Sequence, residues 1–521
     1  MAELIKEQIF LDQSIGSEEV QIMLEGDLIV PDTKPDIASL LQTDERVVIT
    51  RTEASTDRVN YLGSLHISLL YLAKEVSKTV QSIDLVRNLD DFVNLDGATK
   101  DVRISTKATI SNIDYRVIND RKVNYRAVVS LSITAESSDA HEMVVHISDV
   151  PVNQQQKANL SINRTVENIA DRFSVTGQIT LPSAKPNLAE ILQTSIGITN
   201  RDARVGSGRV NLTGELHFTT LYRSDAEDSR IEFLEYDLPF NGPIDVNGAR
   251  ENMLADVNLQ VLDQSIVIRP DEDGEDRVLD IEVSIGVDAK VYSAETISVL
   301  DDAYSINQNL TFERTPVRYP NLVCINANQT AVREVVTLSE TSPEMLQVFR
   351  VKGVVHVDDI RTIDDKVVVE GAINTDILYV VESDAAPLAS FRTVLPYRQV
   401  IEAKGAAPEM RVGVDVSTDT VTFNMLSPRE VEVRFQLTFN TNVVKEETAS
   451  IIGNVDITDI EPEVLATQPS MRVYIVQPGD DLWKVAKRFN TPLDELLAVN
   501  EIENPGKVAA GTKLLLLKNA V

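Results

Sequence analysis

The chain has 521 residues, 43% of them hydrophobic, and a formal net charge of −32 at pH 7. Nucleic acid and anionic membrane surfaces are not expected as partners, because an acidic protein surface repels their phosphate groups. The single cysteine, Cys324, excludes an intrachain disulfide and fits a reducing compartment. The sequence has neither an apolar run of about 18 residues nor a signal-peptide pattern at its start, which predicts a cytoplasmic protein without direct membrane insertion.

One block of sequence recurs three times and organises most of the chain. It begins GDLIVPDTKPDIASLLQT in the first copy and GQITLPSAKPNLAEILQT in the second, and each copy continues into an alternating run that ends in Tyr. The copies occupy residues 26–71, 177–222 and, in a more diverged form, 334–379. Repetition over this distance indicates whole domains in tandem, because a solenoid unit is much shorter.

The first copy predicts strands and one short helix. Residues 28–30 form a short strand, and residues 34–41 predict a helix because their apolar side chains follow helical spacing. Residues 59–71 alternate between apolar and polar side chains, which is typical of a half-buried strand. The alternating runs at 102–110 and 123–133 flank a polar turn and predict an antiparallel hairpin.

The second and third copies repeat these elements. In the second copy, residues 186–192 predict the helix and residues 210–222 the alternating strand. The acidic stretch at 269–276 is interpreted as a solvated hairpin turn, because it lacks the terminal Glu of an EF-hand calcium loop. In the third copy, residues 367–380 and 431–443 predict strands.

Glycines and prolines mark special points of the repeat. Gly63, Gly214 and Gly371 occupy one repeat position and predict a bulge or a close backbone approach there. Proline with polar neighbours predicts a linker at 150–157 and a connector at 459–471.

The abundance of Val, Ile and Thr favours a mainly β fold. We predict three tandem β-rich domains, sandwich-like or barrel-like, at 5–150, 156–306 and 310–460. A small βααβ domain follows at 472–518.

The small domain has its own pattern. Residues 474–476 predict a strand, and Asp480 or Asp481 can cap a first helix. That helix has an apolar stripe consisting of Leu482, Val485, Ala486 and Phe489. Thr491 is the predicted cap of a second helix, and residues 511–516 predict a closing strand.

The run YIVQPGDDLWKVAKRFNTPLDELLAVN, closed by VAAGTKLLL, resembles a LysM module. The resemblance implies a ligand site between two loops, usually for N-acetylglucosamine chains, with Asp481 standing where the family commonly has Thr. The implied partner- or glycan-binding residues are Gly479, Asp480, Asp481, Leu482, Trp483, Asn500, Glu501, Ile502, Glu503, Asn504 and Pro505.

Trp483, the only tryptophan, lies off the apolar stripe of the first helix and beside the cations Lys484, Lys487 and Arg488. Such a side chain is either an exposed anchor for a protein partner or a cover for the edge of the core. The sequence leaves both interpretations open.

Tandem β repeats with a terminal LysM module resemble the coat-morphogenesis proteins of spore-forming Firmicutes, including clostridial ones, whose repeats are called SPOCS domains. The resemblance implies a protein of the mother-cell cytoplasm that concentrates at the forespore surface. It would bind the coat-basement ATPase through its LysM module and help the coat encase the spore.

The sequence bears on three classes of function: an enzyme, a wall-binding protein and an interaction scaffold. The sequence contains no phosphate-binding loop, nucleophile elbow or HExxH motif, and His66 and His217 give way to Asn374 in the third copy, so we expect neither enzymatic activity nor a cofactor. A LysM module also fits binding to peptidoglycan of the cell wall or spore cortex. We prefer a non-enzymatic interaction scaffold, because a chain without an export signal does not meet external glycan.

Overall fold

The computed structural model describes residues 3–74, 80–148, 153–226, 230–383, 386–461, 463, 469–503 and 508–517. Its first part consists of long antiparallel strands in three successive sets of six. The first set is β1 (Glu3–Ile29), β2 (Ile37–Ser55), β3 (Arg58–Ala73), β4 (Val80–Asn94), β5 (Arg103–Asn119) and β6 (Lys122–Ser148). The second is β7 (Asn153–Thr180), β8 (Leu188–Gly206), β9 (Arg209–Ser224), β10 (Ile231–Asp245), β11 (Leu254–Pro270) and β12 (Asp276–Ser305). The third is β13 (Gln308–Thr337), β14 (Gln347–Ile363), β15 (Lys366–Val380), β16 (Leu388–Glu402), β17 (Arg411–Ser427) and β18 (Glu430–Asp459).

Each set of six strands, here called a unit, folds into two three-stranded sheets that face each other. In the first unit the strand orders are β1-β6-β5 and β2-β3-β4, and the other two units repeat them. The alternating apolar side chains of β3 and β6 meet between these sheets, among them Leu65, Ile67, Val123 and Tyr125. The mainly β fold, the alternating strands and the hairpin of β5 and β6 are therefore confirmed.

The helices predicted at 34–41 and 186–192 are wrong. Residues 37–41 open strand β2, and the matching residues of the second unit open β8. Strand β2 has register shifts beside Ser39 and beside Gln42, so its side chains depart from strict alternation. Leu40 packs into the core of its own unit, whereas Leu41 packs into a cluster shared by all three units. Burial on both faces of a bulged strand thus imitates the spacing of a helix.

The repeated glycine lies opposite a bulge in every unit. Gly63, Gly214 and Gly371 each face a register shift in the neighbouring strand. A Cβ at Gly371 would meet the carbonyl oxygen of His356, and one at Gly63 would meet that of Val48. The predicted bulge with close backbone approach is confirmed.

The predicted turns and linkers had mixed outcomes. The acidic stretch at 269–276 joins β11 to β12 as a hairpin turn, as predicted. The linker prediction at 150–157 is wrong from residue 153 onward, because β7 begins there and its partner strand β12 supplies the hydrogen bonds. Residues 150–152 lie outside the described residues, as do residues 462 and 464–468 of the connector at 459–471.

The three units close around a common axis. The second bulge of β2 leaves Leu41 without a cross-strand partner. The equivalent bulges do the same to Leu192 in β8 and to Phe349 in β14. These side chains point away from their own units and meet the outward leucines of the adjacent strands. The buried members of this axial cluster are Leu41, Leu70, Leu72, Val80, Leu192, Leu221, Leu378 and Leu388. The β repeats therefore form one closed body with a shared apolar centre.

A polar ring lies beside the axial cluster. Immediately after each bulge stands Gln42, Gln193 or Arg350, and all three side chains are buried. Arg350 donates hydrogen bonds to the side-chain oxygens of Gln42 and Gln193, with Nε at 2.6 Å from Gln42 and one terminal nitrogen at 2.6 Å from Gln193. Gln193 in turn donates to the carbonyl of Ser68 in the first unit, at 3.1 Å. Burial lowers the pKa of Arg350, while Asp44 and Asp376 act in the opposite direction.

The far ends of the longest strands meet a second time. Strands β1 and β6, β7 and β12, and β13 and β18 extend beyond their own cores as two-stranded ribbons. Equivalent side chains of the three ribbons pack together, among them Val144, Leu300 and Ile452, which are buried. The units are thus joined through their ribbons as well as through the axial cluster.

We predict that Arg350→Ala destabilises the repeat body by about 3 kcal/mol, because two buried amide oxygens lose a charged donor. Arg350→Gln should cost less, because glutamine already occupies the equivalent position in the other two units. The measurement is the midpoint of urea unfolding. Arg204→Ala, at an exposed ion pair, is the matched control and should shift the midpoint little. An unchanged midpoint for Arg350→Ala would contradict a structural role of the ring.

We also predict that Gly371→Ala destabilises the third unit by about 1–3 kcal/mol, because the added methyl group collides with backbone and with the Tyr397 ring. Gly453→Ala provides the control, since a Cβ added there would meet no heavy atom of the described residues within 4 Å apart from its chain neighbours. Thermal unfolding of the two variants compares them directly. Equal losses at both positions would refute the close approach.

Candidate binding site of the C-terminal domain

The last part of the chain folds as the predicted βααβ domain. Its elements are β19 (Met471–Ile475), α1 (Leu482–Arg488), α2 (Leu493–Val499) and β20 (Lys513–Leu517). The strands pair antiparallel, and the predicted stripe of α1 faces them. Leu482, Val485 and Ala486 are buried, and Phe489 packs at their edge. A small closed core therefore holds two loops in place, one before α1 and one after α2.

The first loop is shaped by Gly479 and Asp480. Gly479 has φ +87°, a backbone conformation that glycine adopts without strain. The Asp480 carboxylate accepts hydrogen bonds from the Tyr474 hydroxyl at 2.6 Å and from the backbone N–H of Gln477 at 2.8 Å. The Tyr474 hydrogen bond, followed by that of Gln477, lowers the pKa of Asp480. Asp480 thus fixes the loop.

Asp481 is the cap of α1. Its side chain accepts a hydrogen bond from the backbone N–H of Lys484 at 2.7 Å, and its other oxygen lies 3.0 Å from the Lys484 ammonium. Of the two predicted caps, Asp481 is the correct one. Because its side chain is exposed, it remains accessible to a ligand while it caps the helix.

The second loop is held by Asn500. Its side-chain amide donates to the carbonyls of Leu496 and Leu515, both at 2.8 Å, and its oxygen accepts from the Leu515 N–H at 2.6 Å. Glu501 follows with φ +52°, and Ile502 packs at the edge of the core. Glu501 and Glu503 are exposed, whereas Asn504 and Pro505 lie outside the described residues.

The predicted cap of α2 is wrong. Thr491 is buried, and its hydroxyl donates back to the carbonyl of Phe489 at 3.4 Å instead of capping the helix. Pro492 takes the cap position of α2. The carbonyl of Thr491 accepts a hydrogen bond at 2.9 Å from the Tyr304 hydroxyl of β12, which lies in the second unit. Thr491 therefore takes part in a contact between domains and does not cap the helix.

Trp483 lies against the second unit. Its indole N–H donates to Asp302 Oδ2 at 2.8 Å, and its ring meets that of Tyr304 edge-on with centroids 5.0 Å apart. Lys487 reaches the other oxygen of Asp302 at 2.5 Å, and its ammonium lies 5.1 Å from the centre of the Phe312 ring in β13. Trp483 is half-buried as a result. Sequence reasoning missed Asp302 and Tyr304, because neither follows the repeat pattern.

The predicted site residues thus fall into two groups, those that contact other parts of the protein and those that are exposed to solvent. Asp480 and Asn500 bind groups of their own domain, Leu482 is a core residue, and Trp483 contacts β12. The residues that present themselves to solvent are Gly479, Asp481, Glu501 and Glu503. The exposed part of the two loops is therefore acidic.

The described residues also bear on other kinds of site. Among the described residues no group of three or more His, Cys, Asp or Glu side chains is arranged to hold a metal ion. No helix in the described part of the chain is long and apolar enough to cross a membrane. Cys324 is half-buried at the edge of the third core, and burial raises the pKa of its thiol.

Fold and site together define a tandem β-repeat protein with a small recognition domain at its C-terminal end. A family model described as SipL, SPOCS domain matches residues 36–118, 187–269 and 344–426, and a LysM domain model matches residues 474–516. The chain belongs to the proteins that combine tandem SPOCS domains with a C-terminal LysM domain.

These matches make the chain a sporulation-related protein with a peptidoglycan-binding-type domain, and both matched domains are of a binding type. No curated protein and no solved structure matches the chain.

We predict that Asp480→Asn lowers the thermal stability of the LysM domain at neutral pH, because the carboxylate accepts two hydrogen bonds more strongly than an amide. The folded pKa of Asp480 lies below its ordinary value of 3.8, so its contribution is present above that pH and is lost as the pH falls through the depressed value. The difference in thermal unfolding midpoint between wild type and variant, measured by Trp483 fluorescence, should become smaller in acid. Glu503→Gln, at an exposed carboxylate, serves as control; a difference independent of pH would contradict the assignment.

Proposed function

We propose that this protein is a non-enzymatic scaffold of spore coat morphogenesis. Its LysM domain, at 472–518, binds the coat-basement ATPase and helps the coat encase the forespore. The three preceding domains, with proposed boundaries 5–150, 156–306 and 310–460, act as a rigid body that positions the LysM domain. The protein works in the mother-cell cytoplasm and concentrates at the forespore surface. The combination of SPOCS and LysM domains supports the sporulation role.

The observation that most favours a protein partner is the charge of the loops. Asp481, Glu501 and Glu503 are exposed, and Asp480 adds a fourth carboxylate beside them. Neutral N-acetylglucosamine chains gain little from such a surface, whereas a basic protein patch is attracted to it. The proposed contact lies in the segments 479–483 and 500–505 and uses their exposed acidic side chains, whereas Trp483 stays against β12.

A second feature supports a protein partner. The outer face of β19 presents Met471, Val473 and Ile475 to solvent, with 60%, 64% and 49% of each residue exposed. A row of exposed apolar side chains is typical of a surface that a protein covers. It lies on the same small domain as the acidic loops, so one partner can contact both.

The alternative function is binding of peptidoglycan in the cell wall or spore cortex. The LysM match favours it, because domains of this type commonly bind N-acetylglucosamine chains. Gly479, Asp481, Glu501 and Glu503 are exposed, so a glycan could reach this surface.

A triple variant, Asp481→Asn with Glu501→Gln and Glu503→Gln, tests the proposed protein contact. If a basic protein surface binds here, the association rate constant for the purified coat-basement ATPase should fall by about 10-fold or more at low salt, because electrostatic steering is lost. Surface plasmon resonance on the full chain gives the rate constant. The same measurement with chitin oligosaccharides tests glycan binding.

Asp494→Asn, at an exposed carboxylate of α2 outside the loops, is the matched control. It should leave the association rate nearly unchanged. Tight glycan binding without any binding of the ATPase by the wild-type chain would refute the scaffold proposal and favour the alternative.

A further inference from the structure

The contact between the LysM domain and the second unit breaks the symmetry of the three units. Each ribbon carries a bulge shortly before its end, at Val145 in β6, Asp301 in β12 and Gly453 in β18. The residue after the bulge is Asp302 in the second unit, whereas the other two units have His146 and Asn454. Only the second unit therefore offers a carboxylate at this position.

The same comparison holds for the aromatic side chain. Tyr304 follows Asp302 by two residues, on the same face of β12, and the equivalent positions carry Ser148 and Asp456. Tyr304 is 4% exposed and belongs to the apolar cluster of the LysM domain, not to the ribbon cluster. The second unit thus contributes one aromatic side chain to the core of a different domain.

On the LysM side, one face of α1 supplies the complementary groups. Trp483 and Lys487 are separated by one helical turn and both reach Asp302, so a single carboxylate receives an indole N–H and an ammonium group. The Tyr304 hydroxyl is satisfied by the carbonyl of Thr491. The Asp302 carboxylate, the Trp483 N–H, the Lys487 ammonium and the Tyr304 hydroxyl are therefore all paired across the two domains.

We propose that Asp302 and Tyr304 form an intramolecular receptor for the LysM domain and act as positioning residues for its binding site. The docked domain presents its acidic loops and withholds Trp483 from any ligand. A short connector strengthens the contact, because tethering corresponds to a roughly millimolar effective concentration of one domain near the other. A ligand that uses Trp483 must first displace it from Asp302. This inference concerns the chain alone and does not depend on the identity of the partner.

Because Trp483 is the only tryptophan, the fluorescence of the intact protein reports on this contact directly. The experiment compares the emission maximum and acrylamide quenching of wild type with Asp302→Ala and Tyr304→Ala. We expect a red shift and a higher quenching constant in both variants, because the indole becomes solvated. The matched controls are His146→Ala and Asn454→Ala, at the equivalent positions of the other ribbons, which should match wild type.

A second measurement, on the wild-type protein, tests the contact even if a receptor variant fails to fold. Carbodiimide joins a carboxylate to an adjacent amine without a spacer, so the intact wild-type protein should give a cross-linked peptide pair containing Asp302 and Lys487. Asp302→Asn should lose that pair and keep the others, such as the one joining Lys290 to Glu136. Unchanged tryptophan quenching in both receptor variants, or absence of the Asp302–Lys487 cross-link in wild type, would overturn the proposal.

Discussion

The buried ring of Gln42, Gln193 and Arg350 is the constraint on which the arrangement of the three units depends. A guanidinium away from water is costly unless its hydrogen bonds are satisfied, and here each of two units supplies an amide oxygen. The three partners come from three different units, so the ring is complete only when all of them are in place. Apolar contacts of the axial cluster are less directional. The ring therefore fixes the relative register of units that the leucines hold together.

This closure explains an unusual burial pattern in the strands nearest the axis. Strand β3 buries one face in its own unit, through residues such as Leu69, and the other face in the axial cluster, through Leu70 and Leu72. Isolated units would expose those leucines. The three units are therefore better described as parts of one folded body than as independent beads, and the body can hold the LysM domain in a defined place.

The LysM domain combines a fixed scaffold with an exposed acidic surface. Asp480 and Asn500 use their side chains to hold the two loops, so these polar residues serve the fold before they serve a ligand. The exposed acids carry the chemistry that a partner would sense. Docking on β12 then orients this surface relative to the body.

The sequence alone determined the repeat, the alternating strands, the bulge opposite Gly371 and the βααβ domain, because each depends on contacts between near neighbours or on backbone sterics. It misassigned residues 34–41 and 186–192 as helices, since the second buried face of those strands exists only after the units assemble. Likewise the position of Trp483 was left open between anchor and cover. Only the tertiary structure decided it, because Asp302 and Tyr304 lie far away along the chain and depart from the repeat pattern that made the rest legible.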